Sequence, residues 1–367
     1  MAQAYPKQFK RIWSPVRQQA ADSFLILMIA AFALTVILVR LFLQLSGYPQ
    51  VGNATFHIAH LLWGGLLLFV ALVALLTWAN HWVLWFAAVA GGIGVGLFID
   101  EVGKFITESN DYFFPLAFPI IYAFLLICVW LYLRVRRATP RDTRTLLYHA
   151  LEDLKQVLDN DLDPFEHQEL VSELTQVIDQ AQNPNEKKLA KALLAFVKAE
   201  DVRLAKRPNV IERVWVWIKF ISAQWPARRA FRWLLTVGFA LAGISVVFQI
   251  GALLAYTSGL LRGIQLPEFV IVSGKEQYVV NDPALLLVYQ IANVVTGLLM
   301  AATAVLLSIG KEQRGLRLGT LALALSLTVV NLLTFYFSQL YAIGAALSHF
   351  ALLLAAMIYR WRFFSNR

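Results

Sequence analysis

His57 and His60 stand three residues apart in FHIAHLLWGG, residues 56–65, where a long apolar run begins. Residues three apart on a helix share a face, so the two imidazoles can act together. Further along, GLFIDEVGKFITESNDYFF sets Asp100, Glu101 and Lys104 at the edge of another apolar run. Two imidazoles with two carboxylates suit zinc, manganese or iron. His57, His60, Asp100 and Glu101 are therefore a candidate site for a divalent metal such as zinc. Ionisable side chains in a membrane segment also mark solute and ion pathways. Mutual neutralisation is a third reading. Asp100 and Lys104, at i and i+4, can pair, and so can Arg40 with Glu101. Histidine and lysine near helix ends also reach the headgroup region.

The chain that must position these groups is 59% hydrophobic and 15% charged, with mean hydropathy +0.62. Soluble domains carry roughly 25% charged residues. Apolar stretches of about 20 residues recur, each able to cross roughly 30 Å of hydrocarbon. The expected fold is all-α: a polytopic helical membrane protein of about eight transmembrane helices. Expected spans are 24–46, 57–78, 82–104, 114–135, 231–258, 284–309, 318–337 and 340–361. The one cysteine, Cys128, excludes a disulfide framework and a cysteine-based metal site. The polar, basic N-terminus shows no signal-peptide pattern.

Lys and Arg cluster near the N-terminus, in 134–144, in 310–317 and at the C-terminus. Eight spans put these four clusters on one side, which the positive-inside rule makes the cytoplasm. Both termini are expected there, in a bacterial inner membrane. The net charge of +9 is explained by an anionic inner leaflet, so no nucleic-acid partner is implied. With this orientation His57, His60, Asp100, Glu101 and Lys104 fall at the outer ends of adjacent helices. Arg40 lies at a similar depth, roughly 24 Å into span one at 1.5 Å per residue.

Four regions follow. Residues 1–136 form a first four-helix membrane half. Residues 137–207 form a small cytoplasmic helical insert. Residues 208–230, rich in tryptophan and basic residues, read as an amphipathic helix in the interface. Residues 231–367 form a second four-helix half, with a short outer β-hairpin near 268–280. In the insert, Thr139 with Pro140 and Asp142 predicts a helix start, and Leu147, Leu151, Leu154 and Leu158 its apolar stripe. Asp163-Pro164 and Asn183-Pro184 predict two further starts.

FHIAHLLWGGLLL (56–68) aligns with YQIANVVTGLLMA (289–301), so His57 meets Gln290, His60 meets Asn293 and Gly64 meets Gly297. Phe32-Ala33-Leu34 meets Phe239-Ala240-Leu241, and YLRVR at the end of span four meets IYRWR at the end of span eight. Spans three and seven show no comparable match. This predicts a 4+4 duplication with parallel halves. Gln290, Asn293 and Asn331 are then the neutral polar counterparts of the charged first-half group. Gly92 and Gly96 form a GxxxG, which brings helix backbones close. His81 reads as an interfacial residue at a turn and His349 as a satisfied bundle histidine.

FHxxHLxWG and GLFIDExGKFIT, across roughly 56–113, resemble a family of bacterial multi-pass membrane proteins for which no activity is implied. Membrane hydrolases of the alkaline ceramidase type need three histidines with a late HxxxH pair. This sequence departs from them, with only His349 late in the chain.

The expected function is binding and movement of a small or ionic solute through an outward-facing site of Arg40, His57, His60, Asp100, Glu101, Lys104, Gln290, Asn293 and Asn331. One alternative is a metal-dependent hydrolase acting on lipid or lipid-linked substrate. Another is a signalling or scaffold protein whose insert binds a cytoplasmic protein.

Overall fold

The computed structural model describes residues 14–46, 59–108, 112, 114–137, 142–199, 228–257, 270–273, 276–279, 283–337 and 339–364. His57, the segment 200–227 and the basic residues before Ser14 lie outside them. The expected interfacial helix therefore falls outside the described residues almost entirely.

Four long helices come first: α1 (Ala21–Ser46), α2 (His60–Thr77), α3 (Trp82–Asp100) and, after the short α4 (Val102–Ile106), α5 (Ala117–Arg136). The insert contributes α6 (Thr143–Asp159), α7 (Pro164–Gln180) and α8 (Pro184–Val197). The second half runs α9 (Arg228–Thr257), strands β1 (Val270–Ser273) and β2 (Glu276–Val279), then α10 (Pro283–Ser308) and α11 (Glu312–Leu325). A π-helical turn, Ser326–Val330, leads into α12 (Asn331–Phe337), and α13 (Gln339–Phe364) ends the fold. β1 and β2 are antiparallel, with Ile271 opposite Tyr278.

Seven stretches are long and apolar enough to cross a membrane among the described residues: Ala21–Leu43, His60–Thr77, Trp82–Asp100, Ala117–Arg136, Leu287–Ser308, Glu312–Phe337 and Ala342–Phe364. The chain is a multi-pass helical membrane protein. Its helices expose large apolar side chains such as Phe42, Phe69 and Trp130, as contact with lipid requires. The helix α9 occupies the expected fifth span and is not among the seven. The expected loop 310–317 is corrected: α11 begins at Glu312 after a turn at Gly310, whose φ is +81°. Arg314 and Arg317 therefore ride on a helix. Glu312 accepts from Arg228 at 2.7 Å and Arg232 at 3.4 Å, which draws the start of α11 to that of α9.

Two compact units emerge: residues 1–99 with 128–220, and 100–127 with 221–367. In the first, glycine sets the helix spacing. A Cβ on Gly64 would lie 2.7 Å from the Gly94 carbonyl oxygen, so α2 and α3 touch backbone to backbone. One on Gly92 would overlap the Met28 carbonyl, and one on Gly96 would sit 2.8 Å from Thr35 Cβ, so α3 lies equally close to α1.

The insert packs Leu146, Leu147, Leu162, Leu170, Leu174 and Val177 into one core. Asp163 caps α7 in a capping box with Glu166, and Asn183 caps α8. The start of α6 differs from expectation. Asp142 is its N-cap, its carboxylate accepting from the Thr145 N–H at 2.9 Å. The apolar stripe is also rotated. Leu146, Leu147 and Ala150 are buried, whereas Leu151 and Leu158 are exposed. Leucines surround this helix on more than one side, so the packing of α7 selected the face and the spacing did not.

In the second unit Phe231, Leu235, Phe239, Met300, Leu307, Leu323 and Tyr359 form the core. Phe118 and Tyr122, from the first turns of α5, join Phe335 and Ala342 in a separate cluster.

Candidate functional site

The helix α3 stops at Asp100. Glu101 has φ −88° and ψ 7°, outside helical values, and α4 restarts at Val102. Both carboxylates at this break are fully buried, at 0% exposure. Burying a carboxylate requires partners. Asp100 accepts a hydrogen bond from the Tyr112 hydroxyl. Glu101 is bonded by the Lys104 ammonium at 2.7 Å, and the same ammonium lies 5.5 Å over the Tyr112 ring. Lys104 thus contacts Glu101, three residues before it, and Asp100 has a tyrosine partner. The break at Glu101 interrupts the register that an unbroken helix would give 100 and 104. Tyr112 is the residue that sequence reasoning missed; its only signal was an aromatic hydroxyl shortly after three ionisable groups.

A second polar locus lies in the same compact unit. Ser326–Val330 form a π-helical turn, closed by the Asn331 N–H on the Ser326 carbonyl. Single π turns inside α-helices occur often at functional sites. The Tyr122 hydroxyl donates to the Leu327 carbonyl at 2.5 Å. Ser326 Oγ and His349 Nδ1 are 3.1 Å apart, so His349 has a polar partner. Asn331 is 1% exposed and sits beside the Tyr122 hydroxyl. Among the described residues, neither its Oδ1 nor its Nδ2 completes a hydrogen bond. A buried side-chain amide left open in this way costs about 1–3 kcal/mol. Tyr122 and Ser326 were not legible as site residues, since each looks like an ordinary polar side chain in an apolar run.

The remaining expected residues are dispersed. Arg40 is buried in α1, at 7% exposure. His60 is the first residue of α2 and half-buried. Gln290 and Asn293 are half-buried on α10, and Thr296 bonds back to the carbonyls of Ala292 and Asn293 at 3.0 Å. Among the described residues no three His, Cys, Asp or Glu side chains converge as a metal site; His57 of the expected quartet lies outside them. No protein-family model, curated protein or solved structure matches the chain.

Proposed function

We propose that the protein binds a small or ionic solute at the polar interruptions of its spans and carries it across a bacterial inner membrane, with both termini cytoplasmic. One observation carries this reading. Asp100 and Glu101 are fully buried carboxylates at a helix break in a membrane protein. Such groups are retained in membrane segments chiefly for ion, proton or solute passage. Each also has a partner that can be exchanged: a phenol for Asp100 and an ammonium for Glu101. A cation or proton entering the site would compete with Lys104 for Glu101.

Paired halves with interrupted helices are a recurrent way to build a midplane site. We extend the proposal to a 4+4 duplication in which α11 corresponds to α3. Gly92 and Gly96 then match Gly315 and Gly319, a correspondence that packing suggests where sequence alignment is silent.

Proteoliposomes carrying a pH-sensitive dye, energised by a potassium gradient with valinomycin, test the reading. Wild-type protein should conduct H⁺ or a Na⁺-coupled current above empty liposomes, and Asp100→Asn should lower it at least tenfold. Equal flux in the two proteins would sink the assignment of Asp100. Orientation has its own check. A cysteine at Lys275 should react with an impermeant thiol reagent from outside, and one at Arg144 should not.

A further inference from the structure

The helix α6 lies across the ends of the spans in its own compact unit. Near its start, Arg144 Nη1 bonds Ser14 Oγ at 2.7 Å, and His149 Nε2 lies 3.2 Å from the Arg17 carbonyl. The Arg17 guanidinium in turn bonds the Arg137 carbonyl at 2.8 Å, just past the end of α5. In the middle of α6, Asp153 accepts from Gln19, two residues before α1, at 3.4 Å. Glu152 and Lys155 share a small cleft with Leu75, Trp78 and Val83. At its far end Asp159 accepts from Asn80 Nδ2 at 2.9 Å, in the turn between α2 and α3. The start of α1, the end of α2, the start of α3 and the end of α5 all fall at one edge of the membrane, because successive spans alternate in direction.

Residues turn by about 100° each along a helix. Glu152, Lys155 and Asp159 therefore share the side of α6 that faces the span ends. Leu146, Ala150 and Asp153 lie on other sides and are buried. Alongside the span-facing side runs an apolar flank of Tyr148, Leu151 and Leu158, all exposed, Leu158 at 76%.

We propose that this flank of α6 rests on the bilayer among anionic lipid headgroups and anchors the insert to the membrane surface. The proposal goes beyond the membrane site and does not depend on it.

Continuity argues for lipid. The same edge exposes Leu76, Trp78 and Trp82 at the ends of α2 and α3, and Trp130 on α5. Tryptophan favours the level where acyl chains meet headgroups. Through Asn80 and the cleft at Trp78, α6 adjoins these residues, so its apolar flank extends a surface already built for lipid. The cations beside it suit phosphate. Arg134 lies 5.8 Å over the Trp130 ring and Arg144 5.3 Å over the Tyr148 ring. Each guanidinium is held next to an aromatic body that can enter the acyl boundary while the charge meets a headgroup. Lys155 is drawn to Glu152 at 2.9 Å, so Arg144 is the main cation of the flank itself. A stripe of these three apolar side chains is small against the roughly 800 Å² that a stable protein interface covers on each partner. A lipid surface sets no such minimum.

The test uses the full chain, with Cys128→Ser, in nanodiscs of phosphatidylcholine alone or mixed with phosphatidylglycerol. An NBD fluorophore is attached through Leu151→Cys, Leu158→Cys or, as a reference, Thr175→Cys, which is exposed on α7. Lipid carrying a doxyl group quenches probes that touch the bilayer. Emission from positions 151 and 158 should be blue-shifted and quenched about threefold more than from position 175, with the larger quenching in phosphatidylglycerol nanodiscs. High salt should remove that gain, and so should Arg144→Gln in the Leu158→Cys protein. Should Arg144→Gln not fold, the salt titration alone decides the role of charge. Equal quenching at 158 and 175 would overturn the proposal. So would a blue-shifted but unquenched probe, since protein and not lipid would then cover the flank, or the same quenching in both kinds of nanodisc.

Discussion

The N-terminal and C-terminal membrane segments both pack helices closely at glycines, and their polar helix interruptions differ in chemistry. In the first, Phe32 is 2% exposed, and its backbone carbonyl lies 3.1 Å from where a Cβ on Gly96 would stand. In the second, Phe239 is fully buried, and its ring lies 2.6 Å from the corresponding point on Gly319. Gly64 meets Gly94 across α2 and α3; a Cβ on Gly243 would meet the backbone of Gly297 and Ala301 across α9 and α10. A few residues after Gly96 the chain leaves α geometry at Glu101, and a few after Gly319 it does so at Ser326. The first break holds two carboxylates; the second holds Ser326 and Asn331, neutral and only partly bonded. In both regions glycines set helix spacing, and the polar residues at the two interruptions are of different types.

Breaking the scaffold should have the largest effect. Gly92→Leu forces a side chain into the Met28 carbonyl and should abolish a monodisperse peak in fluorescence-detected chromatography. Gly91→Ala, one residue away with open space, should leave the peak intact. If both behave alike, close approach is not what the glycines provide.

The insert, which joins the two halves, gives the next effect. Burial raises the Asp153 pKa to about 7. A carboxyl whose folded pKa exceeds its unfolded value favours the protonated state. Its stabilisation is therefore present at low pH and lost as pH rises from about 4 through about 7, a change of order 4 kcal/mol. Asp153→Asn should raise the melting temperature at pH 8 and leave it unchanged near pH 4. Glu173 raises the His149 pKa; that contribution is present below pH 6.5 and lost as pH rises through the folded value. The Asp153→Asn protein should therefore keep a shallower slope of the same sign, which His149→Gln removes. His81, its pKa lowered by burial, acts in the opposite sense and weakens the fold as pH falls below 6.5.

The smallest effect sharpens the contrast between the two breaks. Asn331→Leu replaces an amide with open hydrogen-bonding atoms by an apolar side chain of similar size. It should stabilise the protein by about 1 kcal/mol while lowering flux in proteoliposomes. A variant that is both less stable and fully active would mean that Asn331 is structural.

Legibility followed range. Asp163-Pro164 and Asn183-Pro184 announced their helices because a cap and its amides lie within three residues of chain. Asp100, Glu101 and Lys104 stood out because charge in an apolar run is conspicuous, but which acid the lysine would take was not readable. The Lys104–Glu101 contact forms at a backbone break, and Asp100 accepts from Tyr112, twelve residues away. His81, at the turn before α3, packs 5.9 Å from Phe24, a contact no local pattern announced. Gln19 and Asp153, like Asn80 and Asp159, gave no sign of meeting.

By itself, the sequence determined the membrane class and most of the spans, because about 20 apolar residues have few other places to go than a bilayer. It also determined the caps, whose donors and acceptors are local. Only the tertiary structure decided which face of α6 is buried, that α11 starts at Glu312, that a π turn opens beside Asn331, and that α6 lies across the ends of the spans. Each of these depends on contacts between segments far apart in the chain, where side chains compete for partners that no local pattern specifies.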